Sequence, residues 1–311
     1  MVKRVSPLAC VLLVCISALK PVAGRVAGYH VDDETCSGLL QNNETDQKIK
    51  CAAYFQSLTN LSATLAQYSA TLKGPPLTLT VDAGTAWTCP TARTGCFNLT
   101  YRGKTQSVAE HVIDLADAVV LMDYDRNHSN VVKRAADFLT YADTKGVPVT
   151  VGLAIAGPPY ASAAAWQTRN ETELSAVMAA SQPALAQHTS FSGFAVFFGQ
   201  TWRNNSGAAG DDLPWPKGTG VWYVNHDMIL NASRRVEWLR WAQSRGIGAA
   251  YIAPHAGNTA LISIPGVEGS AADDAKFCDF IHEAEAAGID VQLLSTPALD
   301  IAFIRNCSSR S

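Results

Sequence analysis

The sequence predicts an α/β chain folded as a (β/α)8 barrel of the TIM type, and three observations predict it. Short β-branched runs alternate with amphipathic stretches from one end of the chain to the other. There are eight such runs, the number that a closed parallel barrel requires. The G-x-G-x-x-G fingerprint of a doubly wound dinucleotide fold is missing, since Gly246-Ile247-Gly248 follows a helical pattern and precedes a strand.

The strand candidates are Val26–Val31, Leu77–Asp82, Ala118–Tyr124, Val147–Ile155, Phe191–Phe198, Gly220–Val224, Ile247–Ala253 and Ile289–Leu294. Helical patterns lie between most of them, over Asp46–Leu72, Ser107–Leu115, Val131–Thr144, Glu171–Gln187, Ile229–Arg245 and Ala272–Ala287. The last two carry apolar residues at helical spacing: Val236, Leu239 and Trp241 in one, Phe277, Phe280 and Ile281 in the other. Gly146, Gly246 and Gly288 each fall just past a helix, where a left-handed cap favours glycine, and a strand follows each. The Arg203–Gly220 segment, rich in Gly, Asn, Asp and Pro, is the candidate hinge or lid.

Composition narrows the class. The chain has 311 residues, 24 Lys+Arg against 27 Asp+Glu, a net charge of −3, 48% hydrophobic and 16% charged residues. That is a core-forming chain without the clustered basic surface that nucleic acid requires. No apolar run reaches the roughly 18 residues of a membrane span. Met1–Gly24 has a basic start (Lys3, Arg4), a short apolar core and small residues at its end, so it reads as a secretory signal peptide. Residues 25–311 then form a single barrel domain.

Of the 8 cysteines, Cys36, Cys51, Cys89, Cys96, Cys278 and Cys307 lie beyond that signal, an even number that suits three disulfides. Six cysteines allow fifteen connectivities; neighbour pairing, Cys36–Cys51, Cys89–Cys96 and Cys278–Cys307, is the expectation. N-x-S/T sequons at Asn43, Asn60, Asn98, Asn127, Asn170, Asn204, Asn231 and Asn306 point to a secreted glycoprotein. No metal-ligand spacing occurs: His282-Glu283 is half of a zincin motif and reads as a solvated helix face. Neither a metal nor a cofactor is expected.

Barrel active sites lie where strands end. The first strand runs into Tyr29-His30-Val31-Asp32-Asp33-Glu34, and alternation puts His30, Asp32 and Glu34 on one stripe. Asp32 and Glu34 are then roughly 6.6 Å apart along the strand. Paired carboxylates push one pKa up and leave a protonated acid beside an ionised partner. The competing reading is that Asp32 or Asp33 caps a helix. In the third strand Met122 and Tyr124 share a face, which puts a phenol at the barrel mouth with Asp125 beginning the loop.

Taken together these segments resemble the chitinase-type glycoside hydrolases of family eighteen. The strand-four signature of that family is D-G-x-D-x-D-x-E and its strand six carries M-x-Y-D. Here the D-x-E end (Asp32, Glu34) and Met122-Asp123-Tyr124-Asp125 match in order, with Ala27 and His30 in place of the two earlier aspartates. Phe197 stands where that family usually has a tryptophan. The matching order implies a circularly permuted barrel, with strands similar to the family's first three moved to the end of the chain; the rival account is a tandem-repeat gene cut so that the end of one copy joins the start of the next. A looser set of secreted glycosidase-like barrels fits the same motifs.

The resemblance implies hydrolysis of N-acetylhexosamine-containing glycans, an oligo- or polysaccharide substrate whose own acetamido oxygen is the nucleophile. Glu34 would be the acid/base, Asp32 would orient the acetamido group, Tyr124 would donate to its oxygen and Asp125 would support the subsite. His30, which could donate to Asp32, joins Asp82, Trp87, Trp202 and Trp222 as candidate substrate-binding residues, with Trp215 and Tyr223 as further aromatic faces. Two other readings stay open: a non-catalytic chitinase-like carbohydrate-binding protein, and a structural secreted glycoprotein.

Overall fold

The computed structural model describes residues 26–32, 36, 44–70, 76–87, 98–155, 171–198, 215–223, 229–252, 255–256, 259–260 and 271–294. Strand β1 (Val26–Val31) leads to α1 (Glu44–Ser69) and β2 (Thr78–Gly84). A hairpin the periodicity did not signal, β3 (Asn98–Tyr101) and β4 (Lys104–Ser107), comes next. Its turn is Arg102-Gly103, both at positive φ (50° and 79°), the geometry of a tight two-residue hairpin. Helix α2 (Val108–Leu115) starts on a capping box, Ser107 with Glu110.

The chain continues through β5 (Ala118–Met122), α3 (His128–Lys145), β6 (Val149–Ile155), α4 (Glu171–Leu185), β7 (Phe191–Phe198) and β8 (Thr219–Tyr223). Then come α5 (Ala232–Arg245), β9 (Ile247–Ile252), a small antiparallel pair β10 (His255–Ala256) and β11 (Thr259–Ala260), α6 (Ala271–Ala286) and β12 (Asp290–Leu294). Gly146, Gly246 and Gly288 have φ of 67°, 73° and 77°, the left-handed conformation expected just past α3, α5 and α6.

Strands β1, β2, β5, β6, β7, β8, β9 and β12 form a closed barrel, each parallel to the next, and β12 pairs back onto β1. The fold is a (β/α)8 barrel. Strand alternation separates two apolar layers. Outward residues such as Leu79, Val81, Val119, Leu121, Val151, Phe194, Val196 and Val221 pack under the helices. Inward, Val120, Ala195, Trp222 and Tyr251 make a second cluster with Phe197 and Ala249. The two large inward rings fit because their neighbours are glycines. A Cβ on Gly220 would lie 2.7 Å from the Tyr251 ring, and one on Gly152 would lie 3.2 Å from Trp222.

Several expectations need correction. In α5 the buried residues are Arg235, Trp238 and Ala242, with Leu239 and Trp241 partly buried against the core, whereas Val236 is 51% exposed. Glu283 is not merely solvated: it takes two hydrogen bonds from the buried Arg235 guanidinium, at 3.1 and 3.0 Å. Of the candidate lid, residues 203–214 lie outside the described residues; its end falls in regular structure, with Thr219 and Gly220 in β8 and Trp215 buried ahead of it. Cys36 and Cys51 form a disulfide that ties the segment after β1 to α1. Cys278 is also disulfide-bonded. Residues 1–24, Cys89, Cys96, Cys307, Asn43, Asn170, Asn204 and Asn306 lie outside the described residues.

Candidate functional site at the barrel mouth

Inside the barrel, beneath the ends of the strands, are a histidine and an aspartate that are almost wholly buried. His30 of β1 is 0% exposed and Asp82 of β2 is 1% exposed, with His30 Nε2 2.8 Å from Asp82 Oδ2. The two groups are in close contact without the geometry of a directed hydrogen bond. The partner of His30 is therefore the carboxylate on the next strand, not the Asp32 expected from its own strand. Register explains it: His30 is opposite Thr80, two residues before Asp82, and both side chains point inward.

Two aromatic side chains hold the pair in place. Tyr251 of β9 packs on the imidazole with ring centroids 4.6 Å apart, and Trp222 of β8 meets it edge-on at 6.0 Å. Burial pushes the Asp82 carboxyl above the usual carboxylate range, opposed by His30 and by the Trp222 indole. Burial, with the Asp82 charge adding to it, likewise pushes the Tyr251 phenol up. Sequence reading missed Tyr251. Its signal was available, since Ala249 and Tyr251 alternate inward along Ile247–Ile252.

Above this layer the side chains become accessible. Asp32 is exposed just past the end of β1. Tyr124 and Phe197 are half-buried and face one another across β5 and β7, with centroids 5.9 Å apart and rings tilted by 35°. Trp222 backs Phe197 at 6.3 Å. A file of rings thus runs from the buried pair outward to the mouth.

Asp125 is turned away from that file. It pairs with Arg134 of α3 at 2.9 Å and accepts hydrogen bonds from the Asn127 N–H at 2.8 Å and from Asn130 Nδ2 at 3.1 Å. Asp123 pairs with the same guanidinium at 3.1 Å. Asp123 and Asp125 point outward by alternation, which leaves Met122 and Tyr124 inward. The two carboxylates shape the β5–α3 loop that carries Tyr124.

The structure thus brings His30, Asp82, Trp222 and Tyr124 to one end of the barrel, with Asp32 beside them. Trp87, by contrast, is 1% exposed and packs edge-on against Tyr54 of α1. Trp215 lies ahead of β8, where its Nε1 donates to Ser175 at 3.1 Å and its ring meets Trp241. Glu34 and Trp202 lie outside the described residues, as does the Tyr223 side chain. Among the described residues no cluster of His, Cys, Asp and Glu could hold a metal ion, and no helix is long and apolar enough to cross a membrane.

No protein-family model matches the chain, and no curated protein matches it. Among solved structures it is similar to a Podospora anserina GH26-CBM35 β-(1,4)-mannanase. The match has a TM-score of 0.40 and 10% identity, and it covers 99% of this chain and 65% of that one. The chain therefore spans less than two thirds of the mannanase's length. At that distance the likeness carries nothing about activity, and the barrel rests on its own strand pairing.

Proposed function

We propose that the chain is a secreted carbohydrate-active barrel that hydrolyses glycosidic bonds in N-acetylhexosamine-containing glycans. The observation that carries this reading is that exposed Asp32 and the half-buried rings of Tyr124 and Phe197 stand at the same end of the barrel, above the buried His30–Asp82 contact. An acid and aromatic faces at one mouth suit a sugar, which offers hydroxyls at its edge and C–H bonds on its faces. A buried His–Asp pair is also less stable than apolar packing of the same volume, so its presence under the mouth favours a working role.

In this reading Glu34 protonates the leaving glycosidic oxygen and then takes a proton from the incoming water. Asp32 orients the substrate acetamido group, whose oxygen attacks the anomeric carbon, and Tyr124 donates to that oxygen. Phe197 stacks on the sugar ring. Asp125 acts through the loop, holding Tyr124 in place together with Arg134. His30 and Asp82 lie too deep to touch a sugar and instead set the electrostatics beneath Asp32. The circularly permuted strand order belongs to the same proposal.

The second reading, a binding protein without catalysis, is favoured by one observation: Asp125 is already engaged by Arg134, Asn127 and Asn130. Incubating the protein with a panel of acetamido-sugar oligomers, beside Glu34→Gln, and identifying products by mass spectrometry separates the two. Hydrolysis falling on the order of 10²–10⁴-fold in Glu34→Gln supports the acid/base role. Binding without products in the wild type makes the chain a lectin, and equal hydrolysis by both proteins removes Glu34 from the mechanism.

A further inference from the structure

We propose that N-linked glycans at Asn127 and Asn231 stand on the rim of the barrel mouth and limit it to short oligosaccharides or to the ends of saccharide chains. The size limit rests on the carbohydrate reading above; the placement of the two glycans does not. Both asparagines lie in N-x-S sequons, and both are exposed. Both are also helix N-caps, Asn127 of α3 and Asn231 of α5. In a (β/α)8 barrel the helices begin at the face where the strands end, so both residues lie at the mouth end of the barrel. Asn127 is three residues past Tyr124 and is held to that loop by Asp125.

The capping geometry leaves the attachment atom available. Asn127 caps through Oδ1, which accepts from the Ser129 N–H at 3.0 Å. Asn231 does the same, its Oδ1 accepting from the Ser233 N–H at 3.1 Å, the Ser233 hydroxyl at 2.7 Å and the Arg234 N–H at 3.4 Å. None of these bonds uses Nδ2. Glycosylation forms an Nδ2–C1 bond and breaks the C1–O bond of a lipid-linked glycosyl diphosphate. The diphosphate leaves with the electron pair, and the amide proton passes to a base. The Oδ1 cap survives that exchange, so folded barrel and attached glycan are compatible at both sites. Asn60 is exposed as well, but on the body of α1; Asn98 is exposed and pairs opposite Ser107, the N-cap of α2, so it lies at a helix start too, though it caps no helix itself.

The test uses the full chain secreted from a eukaryotic host, with glycopeptides mapped by mass spectrometry. It is compared with Ser129→Ala, Ser233→Ala and the double variant. These remove the sequons while the backbone N–H groups still donate to the asparagine caps. Both sites are expected to be occupied in the wild type. The double variant is expected to gain several-fold in binding or cleavage of long acetamido-sugar polymers relative to a tetramer. Unmodified Asn127 and Asn231 in the secreted protein would overturn the proposal. A polymer-to-tetramer ratio unchanged after loss of both glycans would overturn the size limit. If no form binds any saccharide, the carbohydrate reading fails and the size limit with it, while the occupancy map still decides the placement.

Discussion

His30 and Asp82 occupy space in which most barrels pack aliphatic side chains, and the sign of their contribution follows from burial. The folded state holds the Asp82 proton more tightly than the unfolded chain does. The stability from this group is therefore fully present below the unfolded pKa, near 4, and is lost as pH rises through the higher folded value. Asparagine mimics the protonated form. Thermal melts between pH 4 and 8 are expected to show Asp82→Asn gaining on the wild type as pH rises. A gap constant with pH would mean that His30 fully offsets the burial. His30→Gln removes the group that opposes burial, so the loss is expected at higher pH than in the wild type. At the loop, Arg134→Met leaves Asp123 and Asp125 without their shared cation. It is expected to cost about 1–3 kcal/mol in urea unfolding and to weaken any saccharide binding that depends on Tyr124.

At the scale of elements, the barrel interior is a matter of which strands carry glycine. Gly220 on β8 and Gly152 on β6 leave the space that Tyr251 and Trp222 fill. Gly220→Ala is expected to destabilise by about 1–3 kcal/mol through overpacking. Combining it with Tyr251→Leu should recover part of that loss, since the added methyl then meets no ring; a purely additive pair of effects would show the strain to be in the backbone instead. Helix starts matter in the same way. Ser107 accepts from the Glu110 N–H and Glu110 returns a carboxylate to the Ser107 N–H. Ser107→Ala should cost about 1 kcal/mol, read in the same unfolding experiment.

Over the whole molecule, charge clusters tie helices and connections together in addition to the core. Asp114 of α2 collects Lys104, Gln106, Tyr141 and Lys145, and Asp143 of α3 holds His188, Thr189 and Ser190 ahead of β7. Burial raises both carboxyls somewhat, but these partners outweigh it and hold both well below the usual range. The sign is opposite to that of Asp82: their stabilisation is present above the unfolded pKa and fades as pH falls through it and below. Acid unfolding of Asp114→Asn should accordingly lose part of the pH dependence below about 4 that the wild type shows. A wild-type profile retained in the variant would show that Asp114 contributes nothing to acid stability.

What the sequence by itself determined was the local order. Strands Val26–Val31 and Phe191–Phe198 fall where β-branched and aromatic runs put them, and Gly146, Gly246 and Gly288 end their helices. Hydrogen-bonding period and backbone sterics act within a few residues, so they are legible in a window of that size. Eight such windows in alternation were enough for the barrel. The β3–β4 hairpin escaped because its strands are only four residues long and mostly polar. Tertiary structure alone decided which side chains meet. It set His30 against Asp82 rather than Asp32, engaged Asp125 with Arg134, and withdrew Trp87 and Trp215 into helix packing. Those contacts depend on register between strands far apart in the chain and on the tilt that closes the barrel, and neither is encoded in any single segment.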